Sequence, residues 1–166
     1  MVSSAERVAA FEAMVRSHDA SLRRFGFRLV GGDIDDVLQT AYLAAFRAMD
    51  EFRGESSSGT WLHRIVYTSA LNHLRSRRRS MRREELAAGT TLGSDVAGDV
   101  SARVDLARVV DALPVDQRAV LVLVDGQGFS YEEASVVLGV GVGTIASRLS
   151  RARTRVRSEW IMGGKD

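Results

Sequence analysis

The feature that most constrains this chain is a pair of amphipathic segments, separated by a glycine-bounded turn, in residues 128–157. Ser130 is followed three residues later by Glu133, a capping-box pattern in which each side chain bonds the other's free backbone N–H. Gly139 can adopt the left-handed conformation that ends a helix. The second segment has apolar residues spaced by threes and fours, on one stripe: Val142, Ile145, Leu149, Ala152 and Val156. The sequence therefore predicts two helices joined by a tight turn.

The polar face of the second segment is rich in hydroxyl and guanidinium groups. At about 100° per residue, a neighbouring face collects Thr144, Ser147, Arg148, Arg151 and Arg155. Arg can bond guanine or phosphate, and Ser and Thr can bond either, so this face suits the major groove of DNA. The alternative is an arginine-rich helix that only faces solvent. The segment has no acidic residue before Glu159, which favours contact with DNA over this alternative. We interpret the stretch as a DNA-binding helix-turn-helix.

Composition limits the classes of fold and of functional site that the chain can have. The chain has 166 residues, 45% of them apolar, which is enough for one domain or two small ones. It has no cysteine, which excludes disulfides, thiol catalysis and zinc–thiolate sites. The N-terminal residues lack a signal pattern and no apolar run reaches membrane-spanning length, so we expect a soluble, cytoplasmic protein. The single proline and the lack of alternating β-branched runs predict an all-α fold.

Two amphipathic segments lie near the N-terminus, at residues 4–30 and 34–50. Asp33 is a favourable N-cap for the second segment, and Asp35 and Asp36 add negative charge at the positive end of its helix. Three aspartates could also bind a metal ion. These three share one helix turn, however, and no distant acidic residue is available to complete the coordination shell. The polar face of this helix is available to a partner and carries Asp36, Gln39, Thr40 and Arg47.

A polar, glycine-bounded loop at residues 52–60 leads into a third helix, which Thr60 can cap. The loop's composition assigns it no role beyond a connection. The helix carries Trp61 and Tyr67 and ends in a basic run: Arg75, Arg77, Arg78, Arg79, Arg82 and Arg83. Such a run is commonly a solvated or phosphate-contacting helix end. Because aromatic side chains precede it, a nucleic-acid surface with stacking groups is a second interpretation.

The segment Ala87–Ser101 loses helical periodicity and is rich in Gly, Ser, Thr and Asp, which predicts a flexible linker. It separates an N-terminal half that ends near Arg83 from a C-terminal half that begins near Ala102. We expect a helix over 102–113, ended by Pro114, and a further helix capped by Asp116. The apolar core of that further helix, residues 119–124, is expected to be buried.

These segments, in this order, resemble the extracytoplasmic-function (ECF) sigma factors of bacterial RNA polymerase. The matching stretches are DIDDVLQTAYLAAFRAMDEFRGESSSGTWLHRIVYTSALNHLRSRRR and ALPVDQRAVLVLVDGQGFSYEEASVVLGVGVGTIASRLSRARTRVR. Two motif sets in the right order are far more specific than a lone helix-turn-helix. The resemblance implies two small helical domains, region two in 1–83 and region four in 102–161, joined by a flexible linker in 84–101.

The resemblance also implies roles for individual positions. The helix after Asp33 would dock on the clamp helices of the largest polymerase subunit through Asp36, Gln39, Thr40 and Phe46, and the C-terminal domain would contact the flap region. The loop and the third helix would capture an extruded base and contact the minus-ten element through Glu55, Ser56, Ser57, Ser58, Thr60, Trp61, Arg64, Tyr67, Asn72, Arg75 and Arg78. The second helix of the helix-turn-helix would read the minus-thirty-five element through Thr144, Ser147, Arg148, Arg151 and Arg155.

We therefore predict a sigma subunit that binds core RNA polymerase and directs promoter recognition and DNA melting, under the control of an anti-sigma factor by family analogy. A stand-alone helix-turn-helix regulator, with the N-terminal half as a dimerisation or sensing module, is the alternative. An enzyme would need a carboxylate cluster or an activated nucleophile, and the pattern offers neither. No metal or cofactor site is predicted, because the three histidines lack paired partners.

Overall fold

A computed structural model describes residues 3–89 and 106–163, and all regular secondary structure in these ranges is helical. The all-α prediction is confirmed. The helices are α1 (Ser4–Val30), α2 (Ile34–Ala48), α3 (Ser58–Ala88), α4 (Leu106–Asp111), α5 (Val115–Leu121), α6 (Tyr131–Leu138) and α7 (Val142–Gly163). Short 3₁₀ turns at Gly31–Asp33 and Met49–Glu51 flank α2, and a π turn at Val122–Gly126 extends α5.

Helices α1, α2 and α3 pack around one apolar core. The fully buried residues Leu22 and Phe25 of α1 meet Val37 of α2 and Leu62 of α3 in this core. Gly26 allows α1 and α2 to approach closely, because a Cβ atom at this position would overlap Cδ1 of Ile34. The three-helix unit is therefore held by helix–helix packing rather than by its connecting loops.

Helices α4–α7 form the second helical unit and contain the helix-turn-helix. The capping box is present: Ser130 Oγ accepts from Glu133 N at 3.0 Å, and Glu133 Oε2 accepts from Ser130 N at 2.8 Å. Gly139 has a φ of 66°, the left-handed conformation predicted for the end of α6. Of the five residues of the predicted apolar stripe, Ile145, Leu149 and Ala152 are fully buried and Val156 is half-buried, whereas Val142 is 40% exposed at the first position of α7.

Three predicted helix caps differ from the structure. Asp33 precedes α2, but its carboxylate makes no capping bond. It lies instead 2.9 Å from His73 Nε2 and accepts from Arg77 Nη1 at 2.6 Å, because α3 brings two basic groups close to it. Ser57 rather than Thr60 caps α3, with Thr60 N donating to Ser57 Oγ at 3.0 Å.

The third difference is at α5, where Pro114 occupies the cap position and Asp116 lies in the first turn. Helix α3 also continues to Ala88, so residues 84–88 of the predicted linker are helical. Residues 90–105, which include the rest of that linker and the start of the predicted helix 102–113, lie outside the described residues.

The two helical units contact each other through α6 against α3 and α5 against α1. We call this the closed arrangement. Arg118 Nη1 donates to the carbonyl oxygen of Arg28 at 2.9 Å, and Arg28 Nη1 lies 3.3 Å from Asp111 Oδ1. The buried core accordingly includes residues of both units.

Candidate nucleic-acid and polymerase interface

The outer face of α2 contains the predicted polymerase-binding positions. Asp36, Gln39 and Thr40 are exposed, and Thr40 Oγ1 donates to the Asp36 carbonyl at 3.0 Å. Leu43 lies on the same face and is 53% exposed, an apolar group that the pattern did not single out. Its signal in the sequence is its spacing, three residues after Thr40 and four after Gln39.

Phe46, the fourth predicted polymerase-binding position, is only partly exposed. Its ring lies edge-on to Phe11 with a centroid distance of 5.2 Å. The Arg7 guanidinium lies 4.8 Å from the Phe46 ring centroid, and Arg7 Nη2 donates to the Phe46 carbonyl at 3.1 Å. Phe46 therefore packs α2 against α1 and presents little surface to a partner.

The loop before α3 forms one wall of an open cavity of about 550 Å³. The Phe52 and Trp61 rings lie 4.9 Å apart at 34° in this cavity. Its lining comprises Glu51, Phe52, Arg53, Glu55, Ser56, Trp61, Arg64 and Val136. The structure thus brings together four predicted residues and four that the sequence did not single out. Aromatic, cationic and carboxylate groups in one cavity can stack on a base and bond its edge.

Val136 reaches this cavity from α6, and the next turn of α6 borders a second groove along α3. That groove has a volume of about 230 Å³ and is lined by Arg64, Tyr67, Thr68, Leu71, Asn72, Arg75 and the α6 residues Val137, Leu138 and Gly139. Arg78 lies farther along α3 and is exposed. In the closed arrangement, α6 therefore lies beside the surface that was predicted to contact the minus-ten element.

Two positions predicted for that surface are buried. Thr60 is 2% exposed, and its Oγ1 lies 2.9 Å from Ser57 Oγ inside the helix cap. Tyr67 is 7% exposed, and its ring packs at 6.4 Å from that of Phe25. In the closed arrangement both side chains are therefore buried, although Tyr67 still lines the groove along α3. Ser57 and Ser58 keep some exposure but serve the helix cap and a contact with His18 at 3.0 Å, respectively.

Gln127 connects the two helical units at their centre. Its Nε2 donates to the Ser21 carbonyl at 2.8 Å, and its Oε1 accepts from Ser21 Oγ at 3.0 Å. The same Oε1 lies 3.0 Å from His63 Nε2. This contact could not be predicted from the sequence, since its partners are far apart along the chain.

His63 is 1% exposed and lies between aromatic rings of both units, 5.5 Å from Phe25 and 4.8 Å from Phe129. Its Nδ1 lies 2.8 Å from the Gly59 carbonyl oxygen. Burial lowers the pKa of His63 below its ordinary value, and the neighbouring His18 lowers it further. Neutral imidazole is therefore the favoured form in the closed arrangement.

The predicted recognition residues of α7 differ in solvent exposure and in ion pairing. Thr144, Ser147, Arg151 and Arg155 are exposed. The Arg148 side chain is 23% exposed, and its Nε lies 3.2 Å from Asp116 Oδ2. On the other flank of the helix, Arg153 donates to Asp125 through Nε at 2.9 Å and Nη2 at 2.6 Å. Among the residues that the structure describes, Arg148 and Arg153 thus have ion-pair partners, whereas Arg151 and Arg155 have none.

The described residues contain neither a metal site nor a membrane-spanning helix. Residues 3–89 and 106–163 contain no group of three or more histidine, cysteine or acidic side chains that could hold a metal ion. Within the same part of the chain, no helix is both long and apolar enough to cross a membrane. The candidate interface consists of exposed helix faces and the cavity beside Trp61.

Comparison with known proteins gives two family matches and several relatives. Residues 14–80 match the family model for Sigma-70 region 2, and residues 103–156 match that for Sigma-70, region 4. The chain is 38% identical to the ECF RNA polymerase sigma factor SigM of Mycobacterium tuberculosis, covering 89% of this chain and 75% of that one. It is 32% identical to the ECF RNA polymerase sigma-E factor of Escherichia coli, covering 89% and 84%.

Two solved structures are similar over nearly the whole chain. The sigma factor RpoE in complex with the anti-sigma factor NepR from Bartonella quintana has a TM-score of 0.74 and 28% identity, covering 90% of this chain and 95% of that chain. CnrH in complex with the cytosolic domain of CnrY has a TM-score of 0.67 and 28% identity, covering 95% and 90%.

Proposed function

This chain belongs to the extracytoplasmic-function sigma factors of bacterial RNA polymerase. From that premise we propose a role for each of its binding surfaces. The protein is an alternative sigma factor, a subunit that binds core polymerase and directs promoter recognition and DNA melting. A stand-alone regulator is set aside, because both sigma regions are matched in order. We assign residues 1–83 to the region-two domain, 84–101 to a linker whose first residues, 84–88, continue α3, and 102–161 to the region-four domain.

The exposed face of α2 is proposed to bind the clamp helices of the largest polymerase subunit. Asp36, Gln39 and Thr40 offer polar contacts around Leu43, which is 53% exposed. An apolar side chain within a polar rim is the usual make-up of a protein–protein contact. Phe46 stabilises this face by packing on Phe11 between α2 and α1. The region-four domain is proposed to contact the flap region.

The cavity beside Trp61 is proposed to capture an extruded base of the minus-ten element. The single observation that carries this proposal is the Phe52–Trp61 ring pair, 4.9 Å apart, in an open cavity with Arg64, Glu55 and Ser56. A base removed from the stack can be held by aromatic faces and read at its edge, so strand separation and recognition become one event. Asn72, Arg75 and Arg78 extend the surface along α3 for neighbouring bases and phosphates, which makes binding salt-dependent.

Helix α7 is proposed to lie in the major groove of the minus-thirty-five element. Its exposed residues Thr144, Ser147, Arg151 and Arg155 supply hydroxyl and guanidinium donors to phosphates and bases. Arg148 contributes from the flank that faces Asp116.

An anti-sigma factor is proposed to regulate the protein by stabilising the closed arrangement. Two similar solved structures are titled as complexes of RpoE with the anti-sigma factor NepR and of CnrH with the cytosolic domain of CnrY. In the closed arrangement, α6 borders the α3 groove that includes Asn72 and Arg75, so a partner that holds the two units together would limit access to promoter DNA. We also propose that the protein acts in the cytoplasm and has no catalytic site of its own.

Fluorescence anisotropy with promoter DNA tests the proposed function. A forked DNA with an unpaired minus-ten strand and a fully paired duplex are each titrated with the protein alone and with the protein bound to purified core polymerase. We expect tight, fork-preferring binding only when core polymerase is present. Tight duplex binding by the protein alone, unchanged by core polymerase, would contradict the proposal.

A further inference from the structure

The recognition helix α7 carries two arginine–aspartate pairs on opposite flanks of its buried stripe, and the pairs differ in geometry. In the first pair, Nε of Arg148 lies 3.2 Å from Oδ2 of Asp116. In the second pair, Arg153 uses both Nε and Nη2 to bind Asp125 in a two-bond fork.

This difference decides which arginine can read a base. Bidentate recognition of guanine requires two N–H donors of one guanidinium aimed at O6 and N7. The fork of Arg153 is already occupied by Asp125. Neither terminal nitrogen of Arg148 has a hydrogen-bond partner among the described residues, so both remain free while the Nε end is held. Arg151 and Arg155, in contrast, are exposed and make no ion pair within the described part of the chain.

We propose that Asp116 is a positioning residue for sequence reading, which holds Arg148 so that its two terminal nitrogens contact a guanine of the minus-thirty-five element. Asp116 is itself fixed, because its Oδ1 accepts from the backbone N–H of Gln117 at 2.9 Å. An arginine that is already ordered loses less side-chain entropy on binding and discriminates better between base edges. Arg151 and Arg155 then serve as phosphate contacts, which need charge but little orientation.

Arg148 and Asp116 lie close enough to Tyr67 of α3 to influence its pKa, in opposite directions. The Arg148 side chain is only 23% exposed in the closed arrangement. Arg148 is therefore only partly accessible in this arrangement, and its test uses the sigma factor bound to core polymerase.

This inference rests on the proposed minus-thirty-five role of α7, and one experiment distinguishes the two. Holoenzyme is assembled with the unaltered protein, with Asp116→Asn and with Asp125→Asn. Each is titrated against promoter DNAs in which single base pairs of the minus-thirty-five element are replaced. Asp125→Asn is the matched control, because it breaks the other arginine–aspartate pair of the same helix. Thermal unfolding of each variant reports any loss of fold.

We expect Asp116→Asn to lower discrimination at one G·C position by about fivefold or more, which is the lower end for one good bidentate base contact. Asp125→Asn should leave the discrimination profile unchanged. Arg148→Ala should abolish discrimination at the same position, and adding Asp116→Asn to it should have no further effect on that position. An equal loss of affinity on every DNA, or the same change in both asparagine variants, would overturn the positioning role. If the unaltered holoenzyme ignores every minus-thirty-five substitution, the proposed role of α7 itself fails.

Discussion

His63 Nε2 on α3 lies 3.0 Å from the Oε1 atom of Gln127, which immediately precedes the helix-turn-helix. The same glutamine bonds both the backbone carbonyl and the hydroxyl of Ser21 on α1. One amide group therefore joins two helices of the first unit to the second unit. Because His63 is 1% exposed at this point, water cannot replace the amide without the two units moving apart.

Removing the Gln127 side chain should open the closed arrangement. Gln127→Ala removes the two bonds to Ser21 and the contact with His63, and each such bond contributes about 0.5–1.5 kcal/mol net. We expect a larger radius of gyration in small-angle scattering than for the unaltered protein. Glu132→Ala is the control, since Glu132 is exposed at the start of α6. Equal dimensions for both variants would show that Gln127 does not hold the units together.

The closed arrangement should lose stability in mild acid. Burial and the neighbouring His18 lower the pKa of His63 below 6.5, so the closed form binds a proton less readily than a form with an exposed imidazole. The stabilising contribution of neutral His63 is therefore complete above about pH 6.5 and decreases as the pH falls through the lowered pKa. The other groups in contact with the ring, from Ser21, Gly59, Gln127 and two phenylalanines, do not titrate in this range.

Energy transfer between dyes on the two units, measured from pH 7.5 to pH 5, checks this prediction. We expect transfer to decrease on acidification in the unaltered protein and to be insensitive to pH in His63→Gln. His18→Gln keeps the buried imidazole and should retain the acid response. A response that persists in His63→Gln would assign the titration to another group.

The elements that the sequence predicted well are those whose determinants are local. Ser130 and Glu133 lie in adjacent turns, and Gly139 needs only its own backbone freedom, so the helix-turn-helix follows from a short stretch. Asp33 shows the limit of this reasoning. The local sequence shows that Asp33 is suited to the N-cap position of α2. His73 and Arg77, which contact its carboxylate, lie on α3 and are separated from it along the chain by the whole of α2.

The candidate site shows the same division. The spacing of α2 predicted which of its polar residues share a face, and the family resemblance supplied the positions on α3. Neither predicted that Tyr67 would be buried against Phe25 or that Val136 of α6 would reach the cavity beside Trp61. These facts depend on how separate helices pack, and periodicity within one helix contains no information about its neighbours. Gln127 was missed for this reason as well.

Phe25 should contribute far more to stability than Phe27, although both belong to α1. Phe25 is fully buried and packs on His63 and Tyr67, so Phe25→Ala should lower the free energy of unfolding by about 3–5 kcal/mol. Phe27 is 51% exposed, and Phe27→Ala should cost a small fraction of that. Urea denaturation of the two variants measures the difference, and similar losses would contradict the packing of α1.

Trp61 should be required for strand opening. Its ring lies 4.9 Å from that of Phe52 in the cavity proposed for the extruded base, and stacking of a base on an aromatic side chain contributes about 1–3 kcal/mol. Trp61→Ala in holoenzyme should therefore reduce permanganate reactivity of minus-ten thymines much more than it reduces binding to fully paired promoter DNA. Trp160→Ala is the control, because Trp160 is 52% exposed near the end of α7. Normal opening with Trp61→Ala would show that this cavity does not capture the base, and equal defects in both variants would indicate a general loss of holoenzyme function.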